Sequence, residues 1–419
     1  MAPSSTPPTD TPALTPAPIA TPPLMVEPTI SGPLTSSSAI TITLWWPDAL
    51  PSNEGSQGGR VLRSQLATFQ EANPNIAVEL RVKRAYGKGG MLDLLQGAYS
   101  VAPSILPDLV VLDAQELGAA VRAGTLQPLD GLLSQKLLDD LYPFALGVGR
   151  FAEGQMAIQF TGDVEHLAYD AQKVPSPPVT WTDVLSGTAR YVFPAGGHEG
   201  RVNESFLIQY LALGGRLVDE NGQPALDEKL LIRVLTFYAE GLAGKVIRSG
   251  VLEVENLDQC WDRFVAGMAG MANVSASRYL RERENYPNVR FAPLPTWNGT
   301  VTTMSRGWVM ALVAQDRPHQ EAAARLVTWL MEPPRTAAWN LKVGLLPTRR
   351  EAMTFLGTGD PYTSFLHWQL ESARFHPTAP SYGAIGQALQ NAVHDVLSGA
   401  ATPEDAAHRV LKALGQPTG

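Results

Sequence analysis

Residues 40–124 alternate between two apolar patterns, and no other feature of the chain restricts its fold so tightly. Residues 40–46 (ITITLWW) are β-branched and aromatic, which predicts a strand that ends at Pro47. Residues 60–72 carry Val61, Leu62, Leu66 and Phe69 at helical spacing, and Asn73-Pro74-Asn75 stops that helix. Residues 76–82 (IAVELRV) alternate as a second strand, residues 91–99 form a short helix, and residues 108–112 (DLVVL) a third strand. The third strand is almost continuously apolar, as expected of a sheet covered on both faces. A further helix, 117–123, ends at Gly124. Strand and helix in this rhythm predict an α/β chain built on a parallel, doubly wound sheet.

The same rhythm returns further on. Strands are expected over 156–160 and 167–170, 270–274, 289–294 and 308–313, with helices over 181–185, 203–214, 227–240, 258–266, 319–330, 385–397 and 403–414. In open α/β sheets ligands sit at the carboxyl ends of strands. That rule points to the loops starting at Trp45-Trp46-Pro47-Asp48, at 83–90 and at Asp113. Two adjacent tryptophans on a strand face opposite ways, so one is expected in the core and the other in the crevice.

Composition removes whole classes of function. A net charge of -8 leaves no broad basic surface, so nucleic acid is not an expected partner. The single cysteine, Cys260, excludes a disulfide framework and Cys-x-x-Cys zinc sites. No apolar run reaches the roughly 18 residues needed to span a bilayer. Ten prolines precede Ala39, interleaved with Thr and Ser, and predict an extended tether over residues 1–39. No basic and apolar leader precedes it.

Catalytic motifs are missing. There is no Gly-x-Ser-x-Gly, His-Glu-x-x-His or Walker A sequence. Gly55–Gly59 reads either as a surface loop or as a set of amides for an anion. Asp163-x-Glu165-His166 reads as polar ligand contact or solvent exposure ahead of a metal site, and Gly196-Gly197-His198-Glu199-Gly200 reads as a glycine-rich turn ahead of a catalytic His-Glu pair. No metal and no cofactor are expected. Nine tryptophans are more informative, because aromatic faces stack on sugars while carboxylates and amides bind hydroxyls. Trp45, Trp46, Trp297 and Trp308 fall at strand ends or turns.

Several stretches, in this order, resemble bacterial extracellular solute-binding proteins of the maltose-binding type, which serve ABC importers. They are ITITLWWPDALPSNEGSQGGRVLRSQLATFQEANPNIAVELRV, LPDLVVLDAQELGAAVRAGTLQPLD, QFTGDVEHLAYDAQKVPSPPVTWTDVL, ALGGRLVDENGQPALDE, FVAGMAGMANVSASRYL, VRFAPLPTWNG and PSYGAIGQALQNAVHDVLSGAATPEDAAHRVL. The resemblance spans about residues 40–416. It implies a two-lobed, periplasmic-binding-protein-like fold of class II that closes on a ligand. Residues 40–158 and 291–345 would form the first lobe, and residues 159–290 and 346–416 the second. Carried over by position, the ligand residues are Trp45, Trp46, Asp48, Asp113, Thr161, Gly162, Asp163, Glu165, Asn203, Glu204, Asn273, Ser275, Arg306, Gly307, Trp308 and Tyr382. Val-Ser-Ala-Ser follows Asn273 where the family often has an aromatic residue, which argues against a long, multiply stacked oligosaccharide.

The implied activity is binding without turnover. The ligand is a mono- or oligosaccharide, the partner is a membrane permease, and the protein is a monomer outside the cytoplasm. A lipid anchor is expected in the precursor, its signal and cysteine lying outside this sequence. Polyamines, amino acids, oligopeptides and anions are the alternative ligands. A hydrolase using Asp163 or Glu165 as one of two carboxylates is the alternative of another class.

Overall fold

A computed structural model describes residues 39–197, 200–357 and 359–417. The tether expected over 1–39 lies outside this range apart from Ala39, and so does the His198-Glu199 pair. The described residues make up one compact unit.

The first strands are β1 (Ile40–Pro47), β2 (Ile76–Lys83) and β3 (Leu109–Asp113), and β1 pairs in parallel with both others. Side chains alternate across β1. Ile42, Leu44 and Trp46 join one apolar core, and Trp45 joins a second on the opposite face with Val110 and Leu112 of β3. Both faces are therefore covered, as the apolar run of β3 foretells.

The helix expected over 60–72 starts earlier, spanning Gln57–Ala72, with Ser56 Oγ accepting from the Gly59 amide at 3.1 Å. Gly58 and Gly59 are buried in its first turn, and a Cβ on Gly59 would lie 1.9 Å from the Asn53 carbonyl oxygen. These glycines allow the helix to press against the preceding loop, so the segment is neither a free loop nor an open anion cradle.

After a small hairpin, β4 (Arg150–Phe151) and β5 (Gly154–Gln155), comes the element that organises the rest. The strand β6 runs unbroken through Ala157–Asp170, joining the stretch expected over 156–160 to its continuation over 167–170. At about 3.3 Å per residue it is roughly 45 Å long. Its first part pairs antiparallel with β10 (Thr303–Leu312), and β10 in turn pairs antiparallel with β3. Its second part pairs antiparallel with β8 (Met271–Ser275) and β9 (Val289–Ala292), and β8 is joined in parallel by β7 (Tyr191–Val192). Two short strands, β11 (Leu346–Pro347) and β12 (Ala373–Arg374), attach to β6 and β10. The sheet order is β2-β1-β3-β10-β6-β8-β7.

The outcome is an α/β fold with a mixed sheet. Its parallel parts are β2-β1-β3, β7-β8 and the short pairing of β10 with β12. The long strands are antiparallel because the chain leaves the first group along β6 and returns along β10. Among the described residues no helix is long and apolar enough to cross a membrane.

Candidate ligand cleft

Where β6 and β10 pass between the two groups of strands, a pocket of about 270 Å³ opens. One wall is formed by Asp113 at the carboxyl end of β3, Asp163 of β6, and Arg306, Gly307 and Trp308 of β10. Facing it are Asn256, Leu257 and Asp258 at the start of the helix Leu257–Val265, Ser275 at the end of β8, and Ser277 and Arg281 of the helix Ala276–Glu282. Leu345 closes one side. The pocket thus sits at strand ends and helix starts, as expected for an α/β sheet. A wider hollow of about 590 Å³ near Lys173–Ala189 is lined by Pro175, Pro177 and Pro178 among other residues. Its charged lining is Lys173 and Asp183, and it lies away from β10 and the carboxyl end of β3.

Register holds the first wall in place. Trp308 stands opposite Asp113 on one side and Thr161 on the other, while Gly307 faces Gly162. The register shifts between Trp308 and Val309, leaving Phe160 of β6 as the extra residue of a bulge here. A Cβ on Gly307 would lie 2.0 Å from the Thr161 carbonyl oxygen and 2.5 Å from Gln159 Nε2. That amide donates to Thr161 O at 3.1 Å and Ser305 Oγ at 3.1 Å. Gly307→Ala is therefore expected to destabilise the protein by about 1–3 kcal/mol, measured by urea denaturation. An unchanged midpoint would show that the strands can part without cost.

The electrostatics divide into two layers. In the pocket, Asp163 accepts from the Ser277 amide at 3.0 Å, Ser277 Oγ at 2.6 Å and the Val164 amide at 2.9 Å. Burial raises its pKa, with the nearby Arg306 charge and the Ser277 bonds opposing. Asp113 accepts from Tyr86 Oη at 2.7 Å and from the Gln115 amide at 2.8 Å. Arg306 keeps 36% of its side chain exposed and lies 3.7 Å from Glu204. Glu204 and then Asp163 strengthen the hold of Arg306 on its proton, against burial.

Behind the pocket, burial alone would raise Glu204, but Arg306 and His376 outweigh it and hold this carboxyl far below the usual range. His376 Nε2 lies 3.1 Å from Glu204, and its Nδ1 is 2.6 Å from Tyr382 Oη. Glu165 accepts from Asn273 Nδ2 at 2.5 Å and from Ser205 Oγ, and Asn273 accepts from Tyr191 Oη at 2.5 Å. Burial lifts Glu165 to about 7 despite those bonds. Its second oxygen has no partner among the described residues.

Residues 64–363 match the family model of bacterial extracellular solute-binding proteins. The chain belongs to that family. A maltotriose-binding protein of Pyrococcus abyssi (strain GE5 / Orsay) is 21% identical over 305 residues. The match covers 70% of this chain and 66% of the relative, just under two thirds of its length. Among solved structures, the cyclic alpha-maltosyl-1,6-maltose binding protein from Arthrobacter globiformis superposes with a TM-score of 0.77 at 16% identity, covering 90% of this chain and 98% of the other. Maltose-bound MalE3 of T. maritima gives 0.69 at 21% identity, covering 90% and 99%. The sugar-binding protein MalE from Xanthomonas citri gives 0.72 at 18%, covering 90% and 97%. These likenesses establish the two-lobed α/β fold.

Within this member of the solute-binding family, the residues singled out from sequence occupy three environments. Asp113, Asp163, Ser275, Arg306, Gly307 and Trp308 come together around the pocket. Glu165, Asn273, Glu204 and Tyr382 form the supporting layer behind it. The remainder are structural in their contacts. Thr161 Oγ1 donates to Asn340 Oδ1 at 2.5 Å, and Gly162 faces Gly307. Asn203 Nδ2 donates to Pro194 O and Glu255 O, bracing the loop before Asn256. Asp48 accepts from the Ala85 amide at 2.9 Å. Trp45 and Trp46 are 2% and 1% exposed.

Sequence reasoning passed over Asn256, Leu257, Asp258, Ser277 and Arg281. Ser275 and Asn256 are N-caps, accepting from the Arg278 and Gln259 amides. Cap residues directly after a strand or loop were the available signal. Among the described residues, no group of three or more His, Cys, Asp or Glu side chains could hold a metal ion.

Proposed function

We propose that this chain is the extracytoplasmic solute receptor of an ABC importer, and that its ligand is a carbohydrate held between the lobes. The observation that carries the ligand class is the setting of Trp308. Its half-buried ring lies in the pocket beside Asp113, Asp163, Arg306 and Ser275. An aromatic face next to carboxylate, guanidinium and hydroxyl groups suits the C–H face and the hydroxyls of a sugar ring. The relative from Pyrococcus abyssi carries maltotriose in its name, which agrees with this class.

The activity is binding without turnover. A ligand that touches Asp113 and Arg306 on one side and Ser275 and Ser277 on the other gains its full contacts only when the lobes approach, so it favours the closed form by that difference. We assign residues 40–158 and 291–345 to the first lobe and 159–290 and 346–416 to the second. The rotation is placed where β6 changes partners, around Gly162–Glu165. A permease in the membrane would then read the closed form, with the receptor acting as a monomer held to the surface by a lipid anchor on its precursor.

Calorimetric titration with a sugar panel tests this reading. One saturable site with a change in tryptophan fluorescence is the expected result. Trp308→Ala should weaken binding about tenfold and abolish most of the fluorescence change. A folded protein that ignores every sugar but binds an amino acid or a polyamine would overturn the carbohydrate assignment.

A further inference from the structure

We propose that the cleft takes a short saccharide of one or two rings, anchored by a single stacking contact, and gains nothing from longer chains. This rests on the carbohydrate reading above and adds a limit to it.

Three observations carry the limit. The pocket of about 270 Å³ falls just below the roughly 300–1,000 Å³ typical of sites for drug-sized ligands. It also contains one stacking platform. Trp45 packs under the apolar residues of the helix Met91–Val101, with Lys83 Nζ 5.0 Å from its ring centre, and Trp46 packs edge-on against Trp339. Neither can offer a face to a ligand. Tyr86, the nearest other ring, lies 6.0 Å from Trp308 and is tilted by 41°, so one flat sugar cannot lie on both. Its hydroxyl is committed to Asp113.

The facing wall adds no ring. Asn256, Asp258, Ser275, Ser277 and Arg281 present amide, carboxylate, hydroxyl and guanidinium groups. The carboxylates are largely occupied by the protein: Asp163 by Ser277 and Val164, Asp113 by Tyr86 and Gln115, and Asp258 by Arg278. Arg281 and Arg306, by contrast, donate no hydrogen bond to any described residue. The uncommitted donors of the pocket are thus few: these two guanidinium groups, of which Arg306 is also ion-paired with Glu204 at 3.7 Å, and the Asn256 amide nitrogen. That arrangement fastens the hydroxyls of the stacked ring and of one neighbour. A third or fourth ring would meet neither an aromatic face nor an uncommitted polar group.

The test is calorimetry with the full chain against a monosaccharide panel and against α-1,4- and β-1,4-linked glucose oligomers of one to four rings. The expected result is a one- or two-ring sugar that binds within threefold of every longer member of its series. A further stacked ring would tighten binding by about fivefold, so tightening of threefold or more beyond two rings overturns the proposal while leaving the carbohydrate reading intact. If no saccharide binds, both fall together. Trp308→Phe, which keeps a ring and the local packing, should weaken the best ligand several-fold and keep the same length profile. A Trp308→Phe protein with undiminished affinity would overturn the single-platform assignment.

Discussion

Arg306→Ala is expected to cost about 2–4 kcal/mol of stability at neutral pH and to weaken ligand binding more than about thirtyfold. Glu204 is only 10% exposed and has two cationic or polar neighbours, Arg306 at 3.7 Å and His376 at 3.1 Å. Removing one partner of a buried pair typically costs about 3–5 kcal/mol, because the other charge stays buried and uncompensated. The figure is lower here because Arg306 keeps 36% of its side chain exposed, where solvent screens the pair. The affinity loss follows from the removal of a donor fork from the pocket wall.

The direction with pH is fixed by Glu204, whose pKa is depressed in the folded protein. A depressed carboxyl contributes stability above its unfolded pKa, about 4.5, and loses that contribution as pH falls through the folded value. The deficit of Arg306→Ala should therefore be full at pH 7 and narrow below about pH 4.5. Arg306→Lys separates the two roles, since an ammonium restores the charge near Glu204 but not the planar fork. It should recover most of the stability and little of the affinity. Thermal melts across pH, with calorimetry on the same proteins, read both. An Arg306→Ala protein that melts with the native protein at pH 7 would show that Glu204 does not depend on this partner.

The alternation of apolar patterns in residues 40–124 was enough to place β1, β2, β3 and their helices, because each element carries its own period. The long strand β6 was harder. Thr161-Gly162-Asp163 interrupts its apolar run, yet the backbone stays paired: with β10 up to Val164, then with β8 from Glu165. A polar break in a strand and a change of pairing partner look alike in sequence.

The tryptophan pair shows a related limit. Alternation does place Trp45 and Trp46 on opposite faces, but it does not say whether either face is open. The continuous apolar run of β3, in the same sheet, did say so, and Met91 and Leu95 belong to the apolar cluster that buries Trp45. Arg306 and Trp308 were reached through the family resemblance, at the edge of the strand expected over 308–313. The facing wall of Asn256, Ser277 and Arg281 is assembled from separate helix starts, where a ligand contact and an ordinary cap use the same residue types.

Glu165→Gln is expected to make the protein more stable than the native sequence at pH 8, by about 1–3 kcal/mol, while leaving it nearly unchanged at pH 5. Glu165 is 2% exposed, and the groups around it are neutral donors, Ser205 and Asn273, rather than a contacting cation. Glu204 and Arg306 act on it only through space, in opposite senses. Burial therefore dominates and lifts its pKa from 4.5 to about 7. Between those values the native state binds a proton that the unfolded chain has released. Stability then falls as pH rises through this window, by about 3 kcal/mol at most for a shift of this size.

Glutamine keeps an acceptor oxygen for Ser205 and Asn273 and carries no charge at any pH, so it removes the slope without removing those bonds. Glu116, lifted to about 7 by burial and by Asp113, adds a slope of the same sign. The readout is therefore the difference between the two proteins in urea denaturation from pH 5 to pH 8. That difference should grow with pH and level off above pH 7. Parallel profiles would mean that Glu165 is already ionised in the folded protein at pH 5, and that its unpartnered oxygen is stabilised by a charge or a solvent molecule that compensates for burial.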